Sequence, residues 1–466
     1  MKALPLEEIR QAIRGQWLTG GEPITVRGVT TDTRTAREGD LFVAIRGKNF
    51  DGHSFLRQAA RSGCSGAIVA LDGEPRPQVA RRFPGGVIGV SSTVKALGDL
   101  AKYYRRMLPA TVVGVTGSNG KTTVKRMIHH ILSRRLTGTC GPKSFNNAIG
   151  VPLTLLGTSG GDDYVVCEIG TSAPGEIAAL SAIVRPDVAV ITSVGETHLE
   201  KLGSLERVTA EKAAIVGEMA KDGLAVVRTD SDLLARAVRS YDRRVVWFGE
   251  SDTAEFRLTG YRPGNRCQCF QLNGRFWIDL PLTGRHNALN ALAAIAVAQR
   301  LGFSQADAAS ALADFEGVEM RLQWIDLGNV TILNDAYNAN PTSMVAAAAA
   351  LGEQPAGRRV MIAGDMLELG AAAEDLHVRT GRQIAACGLD LLIGVGRLGR
   401  YIAKGAAEAG VPVRKFATVE TAARSIRRLL KPGDLVLVKG SRAMRMERLV
   451  DLVGKSPVKS AGRKQR

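Results

Sequence analysis

Runs of β-branched and aliphatic residues alternate along the chain with longer stretches whose apolar positions recur at helical spacing. In the middle third, Val112–Thr116, Tyr164–Glu168 and Val188–Thr192 read as buried strands, and Lys121–Arg135 and Ala173–Ile183 as helices. In the last third, Val330–Asp335, Val360–Gly364, Leu391–Val395 and Leu435–Lys439 are strand-like and separated by helical patterns. The stretch Asn287–Gln299 is nearly all Ala, Leu, Ile and Val, which predicts a helix buried on most sides. The first 108 residues differ, with short strands, many turns and a Gly/Asp-rich centre. Strand–helix alternation predicts an α/β protein with mainly parallel sheets. Segments 1–108, 109–320 and 321–454 are the expected domains, divided at Pro109 and just after Met320, with 455–466 as a disordered tail. No internal repeat of fixed period is visible.

Composition changes that picture little. With 466 residues, 45% hydrophobic and 23% charged, the chain is an ordinary folded one, long enough for about three cores at ~150 residues each. No apolar run reaches the ~18 residues of a membrane span. The N-terminus is interrupted by Glu7, Glu8 and Arg10 and does not read as a secretory signal, so a cytoplasmic protein is expected. Six scattered cysteines do not make a disulfide framework, and Cys267-x-Cys269 has the wrong spacing for a zinc knuckle. The net charge of +17 is partly local: Lys455, Lys459, Arg463, Lys464 and Arg466 fall in the tail, which carries no acid. Elsewhere Arg is interspersed with acids and aromatics are only 5%, so no base-stacking platform is visible and no nucleic-acid partner is expected.

The sharpest local signal is an apolar strand running into Thr116-Gly117-Ser118-Asn119-Gly120-Lys121-Thr122-Thr123 and then into a helix. Such a turn aims backbone N–H groups and a helix N-terminus at one point, which suits a polyphosphate. Gly117 and Gly120 allow close approach, Lys121 would reach the terminal phosphates, and Thr122 would offer its hydroxyl to Mg²⁺. Val115 replaces the first Gly of the G-x-x-x-x-G-K-S/T pattern. The loop indicates nucleotide phosphates without naming a reaction.

Glu168 ends a predicted strand, at the rim where α/β sheets bind ligands, and would hold Mg²⁺ directly or through water. His198 follows the next strand and is a second metal or phosphate candidate, although a lone His is more often structural. Lys212, on a helix, reads by itself as a solvated lysine.

Taken in order, these segments resemble the Mur ligases, ATP-dependent amide ligases of peptidoglycan assembly. The resemblance rests on Thr116–Thr123 (TGSNGKTT), Lys143–Leu156, Glu168–Ile177 and Arg185–Ser204, and continues through Gly284–Ala294, Ile332–Met344, Gly364–Gly370 and Val438–Val450. Thr31–Arg34, Gly39–Gly47 and Asp51–His53 look like the family's UDP-binding segment. The resemblance implies an N-terminal UDP-substrate-binding α/β domain, a central P-loop ATPase-like domain and a C-terminal Rossmann-like domain. It implies ATP and two Mg²⁺ ions as cofactors, and a monomer acting on UDP-N-acetylmuramoyl-tripeptide and D-alanyl-D-alanine. In place of the D-N-P-R/K motif of the family member that adds the third amino acid stands Asn338-Ala-Asn-Pro-Thr.

Carried over by motif, Lys121, Glu168, His198 and Lys212 are the expected catalytic residues, with Lys212 carbamylated and sharing the metals with Thr122, Glu168 and His198. Asn287, Arg321 and Asp335 are expected to join the loop in holding ATP. Thr31, Thr33, Arg34, Ser144, Asn146, Asn147 and Thr171 are expected to bind the UDP-linked substrate. The implied reaction activates a peptide carboxylate as an acyl phosphate, which an amine then captures. Three rivals stay open at this stage: a folate- or cyanophycin-type amide ligase, a P-loop kinase, and a nucleotide-dependent nucleic-acid binder.

Overall fold

The computed structural model describes residues 1–73 and 77–454; the basic tail lies outside the described residues. Three mainly parallel sheets, with helices packed on them, organise the chain. The α/β reading is therefore borne out.

The first sheet has the order Gln16–Gly20, Gly86–Val90, Gly66–Ala70, Asp40–Val43, Gly28–Thr30, parallel except for its first strand. The helix Thr93–Arg105 follows it. Its apolar side, with Leu97, Leu100 and Tyr104 fully buried, joins a core shared with Val112, Leu155 and Val165 of the central sheet. This helix fastens the first sheet to the second.

The central sheet has nine strands. Thr111–Thr116 lies in its interior, parallel to Tyr164–Glu168 on one side and Val188–Ile191 on the other. The chain visits one flank and then the other, so the carboxyl ends of these strands open a crevice at a topological switch point. Leu224–Arg228 and Arg244–Gly249 extend the sheet, and Phe256–Pro263, Gln268–Leu272 and Phe276–Leu280 close that side as an antiparallel meander. Strands buried on both faces read as continuous apolar runs, which is why Val112–Thr116 was legible in the sequence.

Helix Lys121–Leu132 ends three residues earlier than the pattern predicts, at a C-cap formed by Ser133. The expected helix at 173 begins at Glu176, because Gly175 adopts φ +82° and Ala173 and Pro174 belong to the turn before it. The apolar stretch at 287 is a helix, Arg285–Arg300, buried from Asn287 through Ala298 as expected.

The third sheet runs Gln323–Asp326, Thr331–Asp335, Asp434–Lys439, Arg358–Ala363, Leu391–Val395, Val413–Phe416, and only its first strand is antiparallel. Asp335 and Lys439 are register partners at the carboxyl ends of neighbouring strands, facing the central sheet's crevice. No helix among the described residues is long and apolar enough to cross a membrane.

Candidate active site

The turn Gly117–Gly120 carries the phosphate-loop signature because its backbone leaves the allowed region for most residues. Gly117 has φ +141° and Gly120 φ +84°. A Cβ at Gly117 would sit 2.1 Å from Thr192 Oγ1, and one at Gly120 2.5 Å from Asn290 Oδ1. Only glycine meets both demands. The N–H of Ser118 donates to Ser193 O (2.9 Å), and that of Asn119 to Ser193 Oγ (2.9 Å), which locks the loop onto the strand-end segment after Val188–Ile191.

Two adjoining cavities open over this loop. The larger, about 450 Å³, is bounded by Ser118–Thr122, Glu168, His198 and Arg321. The smaller, about 170 Å³, is bounded by Thr123, Asn287, Asp335 and again Arg321. The third sheet thus supplies walls to a site founded on the second. Thr116 and Gly117 stand behind the loop, with Thr116 fully buried, and line neither cavity. A roomier hollow of about 690 Å³ lies at the opposite, amino ends of the same strands, around Thr111, Asp163 and Val188. It is far from the glycine turn, and in a parallel sheet the carboxyl ends hold the ligands.

Glu168 is the hub. It is 1% exposed, its Oε2 accepts from Thr122 Oγ1 (2.9 Å), and its Oε1 from Asn146 Nδ2 (3.0 Å). Lys125 Nζ stands 3.4 Å from the same carboxylate and donates to the carbonyls of Gly141 (2.8 Å) and Lys143 (2.5 Å). Sequence reasoning missed Lys125. It lies one helical turn after Lys121, and that spacing puts both lysines on the face turned toward the loop. Asn147 caps the helix Gly150–Leu156 by accepting from the N–H groups of Ile149 (3.1 Å) and Gly150 (3.0 Å), and it also lines the larger cavity, as does Thr171. Ser144 accepts from Tyr337 Oη (2.5 Å), a contact between the central and third units.

Lys121 Nζ donates to Gly117 O (2.6 Å), and burial holds its pKa below the usual lysine value. Lys212 corrects the sequence reading. It is 1% exposed rather than solvated, because the helix Leu205–Gly217 packs on the central sheet with that face inward. Its ammonium makes no hydrogen bond or ion pair among the described residues. Burial, and then the Lys121 charge, depress its pKa far below the lysine range.

From the third unit, Arg321 stacks 4.1 Å over the Tyr337 ring, while Asp335 accepts from Lys439 Nζ (2.5 Å). Burial lowers the Lys439 pKa, and the Asp335 charge opposes that shift. Asn287 donates to Thr283 O (2.8 Å) and accepts from Asn290 (3.1 Å). Beside it, burial pushes His286 down to about 4, so the ring is neutral at pH 7. Tyr337, Lys439 and His286 were also missed: an isolated Tyr, Lys or His carries no signal until the fold brings it to the loop.

Thr31, Thr33 and Arg34 are not brought to these cavities. They lie in the first unit after Gly28–Thr30, where Arg34 pairs with Asp32 at 2.6 Å and is largely exposed. No three His, Cys, Asp or Glu side chains among the described residues form a ready metal centre. The donors present are the Glu168 carboxylate, the Thr122 hydroxyl and the His198 ring, which line the larger cavity. That sparse oxygen-rich set fits Mg²⁺, which takes few protein ligands and keeps water and phosphate oxygens.

Residues 25–105 match the "Mur ligase family, catalytic domain", 115–298 the "Mur ligase middle domain" and 320–442 the "Mur ligase, glutamate ligase domain". The chain belongs to the Mur ligase family. Among its relatives, the UDP-N-acetylmuramoyl-tripeptide–D-alanyl-D-alanine ligase of Bacillus subtilis is 36% identical, over 94% of this chain and 95% of that protein. The enzyme of the same name from Escherichia coli is also 36% identical, over 97% of this chain and 98% of its own. The crystal structure of MurF from Acinetobacter baumannii superposes with a TM-score of 0.87 at 32% identity, covering 98% of this chain and all of that one. The family resemblance read from the motifs is thereby borne out for this Mur ligase.

Proposed function

We propose that this chain joins D-alanyl-D-alanine to UDP-N-acetylmuramoyl-tripeptide at the expense of ATP, as a cytoplasmic step in making peptidoglycan precursor. The supporting observation is convergence. The glycine turn, Glu168, His198 and the third unit's Arg321 and Asp335 meet around one pair of cavities, in a chain alike over 94% of its length to a ligase of that name.

ATP lies with its phosphates on Ser118–Thr123 and its nucleoside toward Asn287 and Asp335 in the smaller cavity. The peptide carboxylate enters the larger one beside Asn146, Asn147 and Thr171. Its oxygen attacks the γ-phosphorus, the bond to ADP breaks, and an acyl phosphate results. The dipeptide amine then attacks the carbonyl carbon and inorganic phosphate leaves. Attack of one anion on another needs charge neutralisation and alignment more than a protein nucleophile. Lys121 and Arg321 bring fixed positive charge from opposite walls. Thr122, Glu168, His198 and a carbamylated Lys212 would hold Mg²⁺, which supplies further neutralisation of the phosphate oxygens. Lys212 suits that modification, because only the neutral amine adds carbon dioxide and burial shifts this amine toward its neutral form. Residues 1–108 hold the UDP end through Thr31, Thr33 and Arg34, remote from the chemistry because the sugar and peptide lie between. Residues 109–320 and 321–454 divide the ATP contacts.

The test is ADP release with UDP-linked tripeptide, ATP and Mg²⁺, offering D-Ala-D-Ala, D-Ala or diaminopimelate in turn. Turnover with the dipeptide alone is expected. Release driven by diaminopimelate, or independent of any amine, overturns the reading.

A further inference from the structure

The segment Gly364–Gly370 has no part in the reaction described above, yet the structure holds it with unusual care. It leaves the strand Arg358–Ala363 and is pinned at three points. Asp365 Oδ1 accepts from the N–H groups of Leu398 (2.8 Å) and Gly399 (2.6 Å). The N–H of Met366 donates to Nε2 of fully buried His377 (2.9 Å), and that of Leu367 to Ser441 Oγ (2.8 Å). Out of this rigid turn projects Glu368, itself in the left-handed region at φ +64°.

Across the boundary stands His198, also left-handed at φ +54°, at the start of the short helix Leu199–Leu202. The Glu368 carboxylate pairs with His198 Nδ1. The Glu368 carbonyl accepts from the N–H of Glu200 (3.1 Å), and a Cβ on Gly370 would come within 3.2 Å of Glu200 Cα. Side chain and main chain of one residue thus hold the His198 ring and the N–H of Glu200 two residues on. Two non-glycine residues in left-handed conformations, facing each other, are over-determined by their surroundings.

We infer that Glu368 is a positioning residue for His198, delivered from the third unit. This inference rests on the proposed reading of His198 as a metal-side ligand. A carboxylate accepting at Nδ1 places the proton there and leaves the Nε2 lone pair free for the cavity. The orienting carboxylate belongs to a different sheet from the histidine. His198 is therefore set in its ligating tautomer only when the third unit is docked, so the site is completed by the contact that closes it. Arg379, paired with Glu196 on the same boundary, contributes docking without touching the ring.

The experiment uses the full chain with ADP and Mn²⁺ as a paramagnetic probe, comparing wild type, E368A, E368Q, H198Q and R379A, each first checked for an unchanged melting transition. Nitrogen-15 imidazole spectra should show His198 protonated at Nδ1 in wild type and mixed between tautomers in E368A. Mn²⁺ should bind about 10- to 100-fold more weakly in E368A, the loss seen when an outer carboxylate of a metal-bound histidine is removed. E368Q, still able to accept a hydrogen bond, should fall between, and R379A, which loosens docking without touching the ring, should weaken Mn²⁺ binding less than E368A does. E368A with wild-type tautomer and affinity, while H198Q weakens binding, overturns the role of Glu368. H198Q without effect on Mn²⁺ overturns the reading of His198 instead.

Discussion

Single residues here acquire their chemistry from burial. Lys212 is an ordinary helix lysine by sequence, but the sheet beneath it removes water and pushes its pKa well below the lysine range. Lys212→Ala should lower turnover at least 100-fold, and a short carboxylic acid should restore part of it; a steady-state assay with and without acetate decides this. Lys125 is the opposite case, a fully buried lysine satisfied by two carbonyls and by Glu168. Lys125→Met leaves those acceptors unpaired and should cost about 3–5 kcal/mol, read as a drop in the urea midpoint. His286, depressed to about 4, has a defined sign. Between pH 6.5 and about 4 the unfolded chain binds the proton and the folded one does not, so stability falls as pH falls through that window. The loss is at most about 3–4 kcal/mol, at ~1.4 kcal/mol per pKa unit. His286→Asn should flatten the pH dependence of the denaturation midpoint there.

At the scale of elements, the strand–glycine turn–helix unit was the most legible part. Apolar runs mark buried strands, and the glycines are needed for the positive φ of Gly117 and Gly120. Gly117→Ala forces a Cβ against Thr192 Oγ1 and should weaken binding of a non-hydrolysable ATP analogue more than tenfold, measured by calorimetry, with little change in circular dichroism. The start of the helix at Glu176 was misread because apolar periodicity continues back through a turn that only the Gly175 backbone reveals. Helix Thr93–Arg105 shows a second limit of pattern reading: its amphipathic face is plain in sequence, but which sheet it packs against is not.

The whole molecule decides how the site is assembled. Asn340 Nδ2 donates to Asn119 Oδ1 (2.7 Å), Tyr337 to Ser144, and Arg379 pairs with Glu196, so three contacts draw the third unit over the glycine turn. Such closure excludes water from an acyl phosphate. The double variant N340A/R379A should therefore leak, releasing ADP from UDP-tripeptide and ATP faster than amide forms. The ratio of ADP to amide, near one in wild type, is the measurement.

The amino-acid sequence alone determined the α/β class, the phosphate turn and the family, because these depend on local periodicity, on backbone freedom and on an ordered series of short motifs. Tertiary structure alone decided which titratable groups are dry, which side of the sheet holds the site, and that His198 meets Glu368. Those properties follow from desolvation and from contacts between residues far apart in the chain. No window along the sequence contains both partners.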